Sequence, residues 1–148
     1  MKCIVLVVDD HPPTVELIRS ALEGRQIEVH TAANGAECLL AVSGERPDLI
    51  ILDVVMPVMD GFQTLEVLRQ SRVSKDIPVI MLTALTSDAD VTNGWRSGVT
   101  SYLTKPFAIN DLLLLVTRVL EGEVGAGEED EVEATTAVSL ARPRERMR

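Results

Sequence analysis

Short apolar runs alternate along the chain with longer stretches in which apolar residues recur every three or four positions. "CIVLVV" (3–8) is dense in β-branched residues and reads as a strand. In "PTVELIRSALEG" (13–24), Val15, Ile18 and Leu22 share one helical face, and Gly24 stands where a helix should stop. The same alternation predicts strands over 27–32, 48–53, 77–82 and 100–104. It predicts helices over 35–44, 62–71, 87–98 and 109–122. Phe62, Leu65 and either Leu68 or Val67 should turn inward. Ser87 should cap the 87–98 helix, and Asn110 or Asp111 should open the last one. The strands are almost continuously apolar rather than alternating. That points to a parallel sheet covered on both faces, a doubly wound α/β domain with right-handed crossovers. Such domains bind at the carboxyl ends of their strands, where strand order reverses.

The apolar period fades after Glu121. "EGEVGAGEEDEVE" is rich in Gly and acid, and "RPRERMR" closes the chain with four arginines in seven residues. The expected organisation is one domain over 1–122 and an acidic, then Arg-rich flexible tail over 123–148.

Composition narrows the function. A chain of 148 residues suits a single domain with a sizeable core. The net charge of -9 offers no positive footprint, so direct nucleic-acid binding is not expected. The apolar runs at 3–8 and 112–116 are far shorter than the ~20 residues of a membrane span, and no signal-peptide cleavage site follows the first. No membrane association is therefore expected. Cys3 and Cys38 form no disulfide framework and no metal-ligand spacing, so both should be small buried thiols. A reduced, cytoplasmic setting is the default.

The chemistry lies at the strand ends. "LIILD" (49–53) finishes a buried strand with a carboxylate, which is costly to bury without a partner. Asp9 and Asp10 follow the first predicted strand, Thr83 the fourth and Lys105 the fifth. A parallel sheet brings all of these to one edge. Clustered carboxylates repel unless a cation sits among them, and a partly open set of hard oxygen ligands suits Mg²⁺. A carboxylate is also a competent nucleophile toward phosphorus. Lys105 can neutralise phosphate charge, and Thr83 can donate a hydrogen bond to it.

"VVDDH", "PDLIILDVVMPVMDG", "PVIMLTA" and "YLTKPF" stand in this order over residues 1 to about 121, and together they resemble the receiver domain of two-component response regulators. The resemblance implies a flavodoxin-like sheet of order 2-1-3-4-5 with five helices. It implies Asp53 as phosphoacceptor, Asp10 as direct Mg²⁺ ligand, Asp9 acting nearby through water, and the Val55 carbonyl completing the protein ligands. Thr83 and Lys105 would contact the phosphoryl group, and Tyr102 would change rotamer with it. The Lys105–Pro106 bond would be cis. The phosphodonor would be a sensor histidine kinase or phosphotransfer protein. Output would pass to an effector protein, or to a second copy, through the fourth helix, fifth strand and fifth helix. The chain would not be an enzyme in its own right.

Plainer roles exist for several of these residues. Asp9 and Asp10 could merely cap a turn, Pro57 and Gly61 are turn formers on any reading, and His11 suits a solvated loop. Trp95 and the 112–116 run suit core or partner-facing surface. Two other function classes remain: a receiver-like module that only binds, and an aspartate-nucleophile phosphatase. The phosphatase would place a second acid two residues after Asp53, where Val55 stands. Val55 and Leu85 are both apolar where fast self-dephosphorylating receivers often carry polar residues. No DNA-binding or catalytic output module is expected in the residues after the last predicted helix.

Overall fold

Five strands, β1 (Ile4–Val8), β2 (Glu28–Ala32), β3 (Leu49–Asp53), β4 (Val79–Thr83) and β5 (Ser101–Thr104), form one sheet in a computed structural model. The spatial order is β2-β1-β3-β4-β5, and every neighbouring pair is parallel. Strand order reverses between β1 and β3, at the centre of the sheet. The structure describes residues 2–84 and 98–122. Leu85, Trp95, nearly all of the helix expected over 87–98 and the 123–148 tail lie outside the described residues.

Four described helices cover the sheet: α1 (Pro12–Glu23), α2 (Gly35–Gly44), α3 (Gly61–Gln70) and α4 (Ile109–Leu120). Side chains alternate across a strand, so β1 feeds two cores. Leu6 and Val8 join Leu52, Cys38, Leu65 and Tyr102 on the α2–α3 side. Val5 and Val7 join Ile18, Leu22, Ile51 and Leu115 on the α1–α4 side. Every residue of β3 and β4 is buried, which explains their unbroken apolar runs.

Local chemistry sets the helix ends. Pro12 and Pro13 open α1, where a missing N–H costs nothing. Asn34 caps α2 by accepting from the Glu37 N–H at 2.9 Å. Asp60 and Gln63 form a reciprocal capping box on α3. Three expectations need correction. The last helix begins at Ile109 behind Ala108, not at Asn110 or Asp111. Asp111 instead lies in its first turn, where an acid favours the helix dipole. Strand β4 runs over 79–83 rather than 77–82, because Pro78 cannot donate to the ladder. Cys38 is buried, but Cys3 precedes β1 and is only partly so. On α3, Leu68 faces the core and Val67 is exposed.

Candidate functional site

The registers Val8↔Leu52, Asp53↔Leu82 and Thr83↔Thr104 align the carboxyl ends of the four central and outer strands. Asp9 follows β1, Asp53 and Thr83 end β3 and β4, and Lys105 follows β5. One carboxylate oxygen each from Asp9, Asp10 and Asp53 lie within 4.8 Å of one another. Lys105 Nζ stands 3.1 Å from Asp53 Oδ1 and 3.3 Å from Asp9 Oδ2. Asp9 and Asp53 are only 3% and 5% exposed, and the shared ammonium is what makes that burial tolerable.

The balance of charge is incomplete. Burial pushes the Asp53 carboxyl above its ordinary range, and Asp9 pushes it further; Lys105 opposes both, and Asp10 adds a smaller push upward. Burial also works against the Lys105 charge, yet Asp53 and then Asp9 hold its pKa above the ordinary lysine value. Three acids face one base, so the cluster has room for further positive charge.

The three acids differ in what they have left to offer. Asp9 Oδ1 accepts the His11 backbone N–H at 2.9 Å, and its Oδ2 is held by Lys105. Asp10 is exposed and makes no hydrogen bond or ion pair among the described residues. The Val54 carbonyl accepts the Gly61 N–H at 2.8 Å, whereas the Val55 carbonyl accepts none among the described residues. Three carboxylates and a free carbonyl are hard oxygen donors, and they fit a small hard divalent cation.

The β3–α3 loop holds Asp53 from behind. A Cβ on Gly61 would lie 2.5 Å from the Asp53 carbonyl oxygen and 2.8 Å from the Val54 Cα. Only glycine lets the start of α3 approach the strand end this closely. The loop also carries Val58 at φ 72°, a conformation a β-branched residue rarely adopts. Val55 and Val58 are 68% and 81% exposed.

Thr83 is buried at the end of β4, and Tyr102 is fully buried in the α2–α3 core. The Lys105–Pro106 bond is cis, as the resemblance implies. His11 is exposed, and its Nδ1 lies 2.8 Å from Thr14 Oγ1. Beside Lys105, a cleft of about 530 Å³ is lined by His11, Leu17, Pro106 and Phe107. Two contributions escaped the sequence reading. The Asp9–Lys105 pair bridges 96 residues and left no local signal. The capping box that anchors α3 did leave one, an acid at Asp60 followed three residues later by Gln63.

Residues 5–117 match the family described as the response regulator receiver domain. The chain belongs to this family. Over 114 residues it is 40% identical to the response regulator PleD of Caulobacter vibrioides, covering 77% of this chain and 25% of that protein. The DNA-binding response regulator MtrA of Mycolicibacterium smegmatis is 37% identical over 116 residues, or 78% of this chain and 50% of MtrA. The chain thus spans between a quarter and a half of the length of these curated relatives. The solved chemotaxis response regulator CheY4 of Vibrio cholerae superposes with a TM-score of 0.76 at 38% identity, covering 80% of this chain and 99% of that one. Receivers are the signalling modules of two-component systems, working with histidine kinases and effectors, and they typically bind Mg²⁺ at an acidic pocket. In this receiver Asp9, Asp10 and Asp53 form an acidic cluster at the strand ends. No helix among the described residues is long and apolar enough to cross a membrane.

Proposed function

We propose that this receiver takes a phosphoryl group from a phosphohistidine onto Asp53, with Mg²⁺ held by Asp10, Asp53, the Val55 carbonyl and, through water, Asp9. The observation that carries the reading is Lys105 Nζ at 3.1 Å from Asp53 Oδ1 inside a cluster of three acids. An Asp53 oxygen attacks phosphorus, the P–N bond to the donor imidazole breaks, and an acyl phosphate forms. Bound Mg²⁺ would shield the carboxylates from the incoming phosphate and neutralise charge developing on its oxygens. Lys105 is already paired with the nucleophile and follows the charge onto the phosphoryl oxygens. The Thr83 hydroxyl donates to the same group. The unengaged Asp10 carboxylate and Val55 carbonyl support their role as direct ligands, and the doubly engaged Asp9 supports an indirect one.

Tyr102 is the proposed relay, fully buried on β5 within the α2–α3 core. Output to an effector, or to a second copy of the chain, is proposed through the 85–97 segment, which precedes β5, together with β5 and α4. In this reading the protein is a cytoplasmic signalling module rather than an enzyme, and residues 1–122 contact no nucleic acid. Residues 123–148 form a tail dispensable for phosphate chemistry, so truncation after Gly122 leaves labelling unchanged.

The test is mass spectrometry after incubation with a small acyl-phosphate donor and Mg²⁺. One phosphoryl group should appear on wild type and none on Asp53→Asn. Equal labelling of the Asn variant would refute the assignment. In a separate thermal titration, Mg²⁺ should raise the melting temperature of wild type and hardly affect Asp10→Ala.

A further inference from the structure

A second group of metal-ligating side chains lies at the opposite end of the sheet from the aspartates. Glu28 is the first residue of β2 and His30 follows two places on, so both project from one face of this edge strand. Glu45 is the C-cap of α2, which packs over that face. One ligand atom from each residue falls within 4.8 Å of the other two. His30 Nε2 lies 2.7 Å from Glu28 Oε2 and 4.0 Å from Glu45 Oε1.

We infer that Glu28, His30 and Glu45 form a surface site for a divalent transition ion of the Zn²⁺ class. One imidazole and two carboxylates are three protein ligands, and water completes a four-coordinate zinc centre. The imidazole selects against Mg²⁺ and Ca²⁺, which take oxygen donors. At 2.7 Å the His30–Glu28 contact is a hydrogen bond with a proton between nitrogen and oxygen. A metal ion at Nε2 would take that proton's place, and the neutral imidazole would carry its single ring proton on Nδ1 instead. The place is electrostatically ready. The last turn of α2 carries no basic residue, so its carbonyl end meets the two carboxylates without a counter-charge on the helix. Lys2 stands 3.7 Å from Glu28 Oε1, but it is 75% exposed and swings away at little cost. The strand is at the sheet edge and the three side chains are half-buried or exposed, so entry needs no opening of the fold.

The chain has two histidines, and they report on separate regions. His30 belongs to this cluster, whereas His11 adjoins the Asp9–Asp10 edge. Zinc chloride is titrated into the full chain while the ring signals of both histidines are followed by NMR. Saturable one-to-one shifts of His30 are expected, with MgCl₂ leaving His30 unmoved. His30→Gln and Glu45→Gln should each weaken zinc binding by at least ~10-fold, the scale on which perturbing a metal site acts. Both lie on the surface, so circular dichroism should confirm an unchanged fold. Zinc shifts confined to His11, or affinity unchanged in both variants, would overturn the site. Failure of phosphorylation at Asp53 would leave this outcome untouched.

Discussion

Lys105 Nζ sits 3.1 Å from Asp53 Oδ1 and supplies a counter-charge to a carboxylate with 5% exposure. Removing it leaves Asp53 and Asp9 facing each other without compensation. In chelator, Lys105→Ala should lose about 2 kcal/mol, less than the ~3–5 kcal/mol of a fully buried pair because the Lys105 side chain keeps 27% exposure. Saturating Mg²⁺ should recover much of the loss. Asp53→Asn should do the reverse and raise metal-free stability at neutral pH. The sign follows from the raised Asp53 pKa. Protonation of the folded state is favoured, so the stability this group contributes is complete below the ordinary value of 3.8 and is lost as pH rises through its folded value. The advantage of Asp53→Asn over wild type should therefore shrink as the pH falls toward 3.8. Urea denaturation in chelator across that range checks it; a pH-independent gap would refute the electrostatic account.

Gly61 should be intolerant of any side chain. A Cβ there meets backbone of the strand end at 2.5 Å, and backbone cannot rotate aside. Gly61→Ala should cost ~1–3 kcal/mol, the usual range for forced overpacking. It should also slow phosphate labelling more than its stability loss explains, because the displaced atoms belong to Asp53 and Val54. Labelling rates measured well below the melting temperature separate the two effects.

What was legible follows the physics of burial. Strands buried on both faces must be apolar throughout, so β1, β3 and β4 announced themselves, and polar residues at their ends could only belong to an edge site. Leu68 and Val67 on α3 were less distinct, since neighbouring positions flank the same helical face until packing selects one. The Lys105–Asp9 pair and the approach of Glu45 to His30 depend on how distant elements meet, which no local pattern encodes. Val58 carried no Gly or Asn signal for its positive φ, because the surrounding loop imposes it.

Cys38 offers an alkaline test of the α2–α3 core. Burial pushes its thiol from 9.0 up to about 12. Because the folded value is raised, its stabilising effect is complete below 9.0 and is lost as pH rises toward about 12. Stability should fall across that window by at most ~1.4 kcal/mol per pH unit from this group. Cys38→Ala should show a shallower decline, with Cys3 supplying a smaller remainder through burial and the nearby Asp48 charge. Denaturant titrations at about pH 8 and about pH 10.5 compare the slopes; parallel declines would show that Cys38 ionisation is not involved.

The lifetime of the phosphorylated state should be set in part by Val55. Hydrolysis of an acyl phosphate needs a water held in line with phosphorus by a polar group. Val55 stands two residues beyond Asp53, is 68% exposed, and has no side-chain donor or acceptor to hold that water. Wild type should therefore lose phosphate slowly, a property suited to a signal ended by a partner rather than by the receiver itself. Val55→Asn should accelerate the loss, and Leu85→Glu added to it should bring the increase to about tenfold, a barrier change of only ~1.4 kcal/mol. Because Val55 is exposed, the substitution should leave the melting temperature nearly unchanged. The protein is loaded with phosphate, the donor is removed, and phosphoaspartate decay is followed in excess Mg²⁺. Equal decay in wild type and the double variant would show that another element of the site limits access of water.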